Sequence, residues 1–263
     1  MKGGDRKNGI QLHTLLLVFL FSGCLSLNAQ SYFEEAESNF TKRYEKLVGT
    51  YANKYYVNLA IRGYKKSNKN PEVVAALLRA YEFKATYTKL PKVTKRKILK
   101  KAVSMGREAM RDYPESIPIK YYYMANLGRW GQTISITTAA QEGILKEIKT
   151  LDNEIIDADS TFDEAGPLRI LGAMHLKVPT IPFILSWPSD EEALRLLHSA
   201  YSIAPSNVGN ALFYAEALIE NNKEEEARIL LEDIANRKPR KIRFLEDLKN
   251  INDAKQLLED NHL

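Results

Sequence analysis

Hydrophobic positions recur at helical spacing through most of the chain. In the stretch ALFYAEAL, residues Ala211, Tyr214, Ala215 and Leu218 stand three, one and three positions apart, which places them on one side of an α-helix. The stretches YYYMANLG and LRILGAMH carry their packing residues at the same spacing. No alternating strand pattern of useful length competes with these helices, so the sequence predicts an all-α protein.

A second pattern pairs an alanine with a proline twelve positions later. The three pairs are Ala102 and Pro114, Ala193 and Pro205, and Ala227 and Pro239. Small residues let a helix pack closely against its partner, and the proline ends that helix. This spacing is the second-helix signature of a tetratricopeptide repeat, so the predicted fold is a solenoid of helical hairpins.

Two polar residues mark predicted helix starts. Asn70 is a favoured N-cap, and Pro71 follows it at the first helical position. Ser189 and Glu192 form a capping-box pattern in front of the helix that carries Ala193.

The repeats are irregular in length. Their predicted ends lie near Pro114, Asp159, Pro205 and Pro239, at separations of 45, 46 and 34 residues. We place the extra residues between the two helices of a repeat, in GQTISITTA and in KVPTIPFILSWPS. The predicted organisation is an N-terminal helical cap at 30–68, roughly four repeats at 69–239 and a capping helix at 240–263.

The N-terminus has the pattern of a bacterial export signal. Basic residues precede the uncharged run Leu15–Phe21, which is too short to span a bilayer. One cut would leave Cys24 at the start of the mature chain, able to carry lipid, with 1–23 as the signal. The other would follow Ala29, with 1–29 as the signal. We expect a protein of the periplasm or one anchored to an envelope membrane.

Charge is unevenly spread along the chain. Residues 42–111 hold 19 Lys/Arg against 4 Asp/Glu, whereas residues 112–263 hold 16 against 25. The basic part could meet an anionic membrane, a nucleic acid or an acidic partner, or it could consist of solvated helix faces. Export argues against nucleic acid as the partner.

The sequence contains none of the common catalytic motifs. It has no G-x-S-x-G, no phosphate-binding Gly-rich loop, no H-E-x-x-H and no cysteine pair. His175 occupies a helix-packing position, and His198 has no partner at metal-ligand spacing. We therefore predict a protein that is not an enzyme and that holds no metal or cofactor.

One helix carries a candidate binding stripe. Within YYYMANLGRW, we expect Tyr121 and Met124 to face the repeat core. Tyr122, Asn126 and Arg129 then lie on the opposite stripe, where an aromatic ring, an amide and a guanidinium could hold a ligand or a peptide. The alternative is ordinary packing between repeats.

The insertion VPTIPFILSWP is a second unusual feature. Its three prolines break any helix, yet its side chains are too apolar for a free loop. The segment could plug the solenoid core, contact a membrane or partner, or line an apolar ligand channel.

Four stretches together resemble the T-component family of tripartite ATP-independent periplasmic (TRAP) transporter systems. They are NPEVVAALLRAYEF, YYYMANLGRW, DEAGPLRILGAMHLKVP and EEALRLLHSAYSIAPSNVGNALFYAEALIENNKEEEARILLEDI. The resemblance implies a non-enzymatic periplasmic accessory that pairs with a solute-binding protein and forms a homo-oligomer around an apolar ligand channel. The chain departs from the family at TIPFILSWPSD, where a Gly-rich turn is expected.

Under this resemblance the ligand would be a small apolar molecule or an organic anion. The residues expected to line the binding groove or its edge are Tyr122, Asn126, Arg129, Trp130, Arg169, Phe183 and Trp187. Arg129 and Arg169 would hold a carboxylate, and the aromatic rings would supply apolar contact. The alternative function is a general cell-envelope adaptor that binds another protein and no solute.

Overall fold

The computed structural model describes residues 30–180 and 187–261, and these residues form twelve α-helices. The helices are residues 30–41 (α1), Lys54–Lys66 (α2), Pro71–Tyr87 (α3), Lys92–Asp112 (α4), Ile117–Gly131 (α5), Ile136–Gln141 (α6), Ile144–Asp159 (α7), Phe162–Lys177 (α8), Asp190–Ile203 (α9), Val208–Glu220 (α10), Glu224–Asn236 (α11) and Phe244–Asp260 (α12). Short 3-10 turns precede α2 and α12 at Lys42–Tyr44 and Lys241–Arg243. Within the described ranges, β-structure is limited to two isolated bridges.

The helices pack as successive antiparallel pairs. Helix α3 pairs with α4, α5 with α7, α8 with α9, and α10 with α11, while the short α6 lies in the predicted insertion between α5 and α7. The first helices also contact one another, α3 with α5 and α8 with α10, and α12 packs on α10 and α11. This arrangement confirms the predicted all-α solenoid of helical hairpins.

Both predicted N-caps, Asn70 and Ser189, are confirmed. Asn70 caps α3 by accepting a hydrogen bond from the Val73 amide at 2.8 Å, and Ser189 Oγ accepts from the Glu192 amide at 3.3 Å. These side chains satisfy amide groups that have no partner inside the helix. The second helices of the pairs end within three residues of the predicted repeat ends.

Small residues allow close helix contact where the repeat pattern requires it. Gly172 of α8 faces α9, and a methyl group added there would lie 2.6 Å from Leu197 Cγ. Gly106 of α4 is equally tight against the ring of Tyr123 in α5. At both places glycine lets the two helices approach more closely than any larger residue would.

The last helix joins two hydrophobic cores. The main core runs from α1 to α7 and includes Met174 of α8 and Leu245 of α12, whereas Ile251 and Ala254 of α12 pack in the core of α10 and α11. Because α12 contributes to both cores, it holds the N-terminal pairs and the C-terminal pairs in one packed structure.

Candidate functional site

Asn126, in the middle of the predicted binding stripe on α5, is covered by neighbouring helices, whereas the Arg129 side chain is 40% exposed. Asn126 is fully buried, and its Nδ2 donates hydrogen bonds to the backbone oxygens of Leu78 at 3.0 Å and Tyr122 at 2.7 Å. Helix α5 contacts α3, α4 and α7, so packing is not confined to the side that carries Tyr121 and Met124. The prediction that Asn126 faces an open groove is therefore wrong.

The other predicted residues of α5 also contact protein groups. Tyr122 lies edge-on to Phe162, and burial raises the pKa of the Tyr122 hydroxyl to about 12. Arg129 donates from Nε to Glu82 Oε1 at 3.0 Å, and Trp130 packs against the main core. Each of these side chains thus links α5 to another part of the structure.

Arg169 lies in a polar network between α5, α8 and α10. It donates to Asn210 Oδ1 at 2.6 Å and to the Tyr121 hydroxyl at 3.5 Å, and its Nη2 is 3.9 Å from Asp163 Oδ2. Burial raises the pKa of Tyr87, and both Arg129 and Arg169 oppose that increase. The two arginines predicted to hold a carboxylate therefore lie in one neighbourhood, where protein carboxylates and polar groups already bind them.

A left-handed turn opens α8. Asp163, Glu164 and Ala165 have φ values of 50°, 60° and 61°, in a region that residues with a Cβ rarely adopt. Such a conformation costs about 1–2 kcal/mol per residue, so tertiary contacts must hold the turn in place.

Cations from the segment before α12 supply those contacts. Arg243 donates to Asp163 and lies 3.1 Å from Glu164 Oε2, while Arg240 donates to Glu164 Oε1 at 2.8 Å and also pairs with the buried Asp247. The C-terminal segment therefore packs against the first helices of the repeats. It occupies part of the surface on which a ligand groove was predicted.

The described part of the apolar insertion covers the main core. The ring of Trp187 meets the ring of His175 edge-on at 5.2 Å, and the ammonium of Lys149 lies 4.5 Å from the centre of the Trp187 ring. His175 is buried, as expected for a packing residue. Phe183 and Cys24 lie outside the described residues, so their predicted roles stay predictions.

An open cleft is formed by α9, by Tyr214 of α10 and by Lys223 in the turn before α11. Its volume is about 680 Å³, and its lining residues are Ser189, Glu191, Glu192, Leu194, Arg195, His198, Tyr214 and Lys223. A neighbouring cleft of about 360 Å³ shares Tyr214. It is lined by Tyr201 of α9 and by Glu226 and Ile229 of α11. Together they form one surface path, which we call the α9–α11 cleft.

Aromatic rings form the floor of the α9–α11 cleft, and charged residues form its rim. Tyr214 stacks on Tyr201 with ring centres 5.5 Å apart and lies 5.2 Å from the His198 ring. Burial and the nearby Glu226 raise the pKa of Tyr214. At the rim, two hydrogen bonds from Arg195 lower the pKa of Glu192. An apolar floor with a polar rim is the arrangement that binds a peptide or a protein surface.

The sequence pattern did not single out this cleft. Tyr214 stands on the same apolar stripe as Ala211, Ala215 and Leu218, and those three are buried whereas Tyr214 remains partly exposed. The usable signal was the recurrence of rings on two adjacent helices, with His198 and Tyr201 three positions apart on α9.

Neither a metal-binding cluster nor a membrane-spanning helix is present in the described ranges. No group of three or more His, Cys, Asp or Glu side chains there is arranged to hold a metal ion. No helix in those ranges combines the length and apolar character needed to cross a bilayer.

Comparison with known families supports the repeat assignment. Residues 191–245 match the tetratricopeptide repeat model. This range includes α9 from its second residue, all of α10 and α11, and every lining residue of the α9–α11 cleft except Ser189. A search of curated proteins found no match to the chain. The described ranges are thus mainly helical and include a segment similar to the tetratricopeptide repeat, a kind of repeat that generally mediates protein–protein contacts.

Proposed function

We propose that the protein is a non-enzymatic adaptor of the bacterial cell envelope that binds a protein partner in the α9–α11 cleft. One observation carries the proposal: a partly exposed floor of Tyr201, Tyr214 and His198 lies open within the matched repeat segment. Aromatic side chains in such a position provide large contact area with little loss of conformational freedom.

The charges around the cleft favour a particular kind of partner segment. Glu191 of α9 lines the cleft and forms no ion pair among the described residues, and Glu226 of α11 lines it as well. Residues 112–263 carry 16 Lys/Arg against 25 Asp/Glu, so the surrounding field is acidic. We expect a segment with an apolar or aromatic anchor flanked by lysine or arginine.

From the resemblance to TRAP T-components, we propose a more specific partner. A solute-binding protein of a TRAP-type system would dock in the cleft and bring its solute to a membrane permease. The second candidate is another envelope protein and no solute. The solute-holding role of Arg129 and Arg169 has less support than the cleft, because Arg129 Nε already donates to Glu82 and Arg169 Nη1 already donates to Asn210.

Affinity capture from envelope extract tests the proposal. The full chain is compared with a His198→Ala/Tyr214→Ala variant, which removes two cleft side chains, and with Tyr32→Ala, which removes an exposed ring on α1. We expect the native chain and Tyr32→Ala to retain a TRAP-type solute-binding protein, and the cleft variant to lose it.

The other outcomes are also decisive. Retention of a different envelope protein, lost in the cleft variant, would favour the second candidate. Equal capture by the native chain and the cleft variant would remove the cleft from the binding site.

A further inference from the structure

Two chain segments run side by side at one end of the first helix pairs. The Ala52 amide donates to the Tyr87 carbonyl at 2.8 Å, and Ala52 forms a parallel bridge with Thr88. The residues that lead into α2 therefore lie beside those that lead into α4. We call the surface formed by residues 46–55 and 89–97 the basic end.

The basic end carries concentrated positive charge. It contains seven Lys/Arg and no Asp/Glu, namely Lys46, Lys54, Lys89, Lys92, Lys95, Arg96 and Lys97. All but Lys95 are exposed, and none of the seven forms an ion pair with a described residue. Two cations of the C-terminal region differ, because Arg228 pairs with Glu225 and Glu232, and Arg237 pairs with Asp233.

Positive charge continues from the basic end to the lysines beside it. Burial lowers the pKa of Lys84 in α3, and the nearby Lys65 and Lys54 of α2 lower it further. Uncompensated positive charge therefore extends from α2 across to α3, and an anionic surface placed against it would relieve the repulsion.

Exposed apolar side chains lie among these cations. Val48, Tyr51, Tyr55 and Val93 have exposed fractions of 55%, 38%, 58% and 66%. Nine large hydrophobic side chains are exposed among the described residues, so four of nine falling in two adjacent segments is a cluster rather than a scatter. A tight turn fixes two of them, because Val48 and Tyr51 exchange backbone hydrogen bonds of 2.9 and 3.2 Å.

We propose that the basic end docks on an anionic phospholipid bilayer, with Val48, Tyr51, Tyr55 and Val93 inserted among the headgroups. Lipid surfaces of this kind attract clustered lysines and accept valine and tyrosine at the boundary of the acyl chains. The match in both charge and apolar contact selects this partner.

Other anionic partners match fewer of these features. Val48 and Val93 have no ring on which a nucleic-acid base could stack, and six of the seven cations are lysines that lack the planar fork of arginine. A uniformly acidic protein surface would meet the cations and leave the valines in water. Docking at this end does not require a lipid on Cys24, and the basic end shares no residue with the α9–α11 cleft.

Vesicle sedimentation tests the charge requirement. The full chain is mixed with vesicles of phosphatidylglycerol or of phosphatidylcholine, at low and at high salt. We expect Lys92→Glu/Arg96→Glu to bind phosphatidylglycerol about tenfold more weakly than the native chain, and Lys238→Glu/Lys255→Glu to bind as the native chain does. The control pair has the same charge change on exposed residues near the C-terminus.

A local probe tests the apolar contact, whatever residues 1–29 contribute to binding. In a Cys24→Ser chain, an environment-sensitive dye is attached at Val93→Cys or, as the control, at Ile229→Cys, which is also more than half exposed. We expect a blue shift on phosphatidylglycerol vesicles at position 93 alone. Thermal melts of each variant confirm folding, which these exposed positions leave intact.

Three outcomes would overturn the proposal. They are equal binding to the two kinds of vesicle, equal loss in the Lys92/Arg96 and Lys238/Lys255 variants, and a dye at position 93 that stays in water on bound vesicles. Retention of the chain by nucleic acid or by an acidic protein, without vesicle binding, would assign the basic end to that partner instead.

Discussion

The hydroxyl group of Tyr44 donates a hydrogen bond to Glu246 Oε2 at 2.6 Å, across 202 positions of the chain. Beside it, Arg43 donates to the backbone oxygen of Ile242 at 2.7 Å, and the rings of Tyr44 and Phe244 pack with centres 6.4 Å apart. The turn after α1 is therefore fastened to the segment before α12. This contact joins the N-terminal pairs directly to the C-terminal segment.

Removing the Tyr44 hydroxyl should loosen that junction. Burial raises the pKa of Glu246, and Tyr44→Phe would leave this carboxyl without its closest donor. We expect the free energy of unfolding to fall by about 1–2 kcal/mol, measured by urea denaturation. Glu246→Gln keeps an acceptor at the same place and should cost less. Equal stability of Tyr44→Phe and the native chain would show that the hydrogen bond contributes nothing net.

Arg243 should hold the left-handed turn at the start of α8. Arg243→Met removes a cation from Asp163 and Glu164, while both carboxylates remain largely buried. We expect a loss of about 2 kcal/mol, below the cost of breaking a fully buried pair because both partners retain some contact with water. Urea denaturation measures the loss.

The matched control for that variant is Arg228→Met. Arg228 also pairs with two carboxylates, Glu225 and Glu232, but on the exposed face of α11. Exposed pairs contribute little, so this change should leave stability almost unaltered. Equal losses in the two variants would argue that the ion pairs at Asp163 and Glu164 do not support the strained turn.

The helix pairs could be predicted from the sequence because their signals are local. A cap such as Asn70 and a small residue such as Gly172 act within one helix or one hairpin, and both perform the expected task in the structure. The left-handed turn gave no such signal. Asp163 tolerates positive φ better than most residues, but Glu164 and Ala165 do not favour it. The turn is held by Arg240 and Arg243, more than seventy positions away.

The candidate site was harder to predict for a related reason. A helical wheel separates the stripe of Tyr121 from that of Asn126, but it cannot show how many neighbours surround α5. Three helices do, so Asn126 is buried. The same limit hid the α9–α11 cleft, because Tyr214 has the spacing of a core residue and only the packing of α9 against α10 leaves it partly exposed.

Two glycine-to-alanine changes should have opposite effects on stability. A methyl group at Gly172 would lie 2.6 Å from Leu197 Cγ and 2.8 Å from its Cδ2, so α8 and α9 would have to move apart. We expect Gly172→Ala to lower the free energy of unfolding by about 1–3 kcal/mol.

The methyl group at Gly128 of α5 would instead meet Ile148 Cδ1 at an ordinary 3.8 Å. Gly128→Ala should raise the free energy of unfolding by up to about 1 kcal/mol, because alanine favours the helix. Chemical denaturation of both variants measures the two changes. If both substitutions stabilise the protein, α8 and α9 do not pack as closely as the structure places them.

Asp152 should make stability depend on pH. Its carboxyl is fully buried in α7 with no hydrogen-bond partner among the described residues, and burial raises its pKa well above the ordinary value of 3.8, against a smaller opposing effect of Arg169. Above about pH 4 the unfolded chain loses this proton while the folded chain retains it, so this group lowers stability as pH rises. The decline stops once pH passes the raised pKa of the folded state. Asp152→Asn removes the effect, and its stability relative to the native chain should therefore rise with pH, by about 1 kcal/mol per unit within that window.

Urea denaturation from about pH 4 to about pH 8 measures the trend. Asp157→Asn is the control, because Asp157 is exposed on the same helix and its loss should produce no such trend. Parallel curves for the native chain and Asp152→Asn would mean that the carboxyl of Asp152 reaches water in the folded protein.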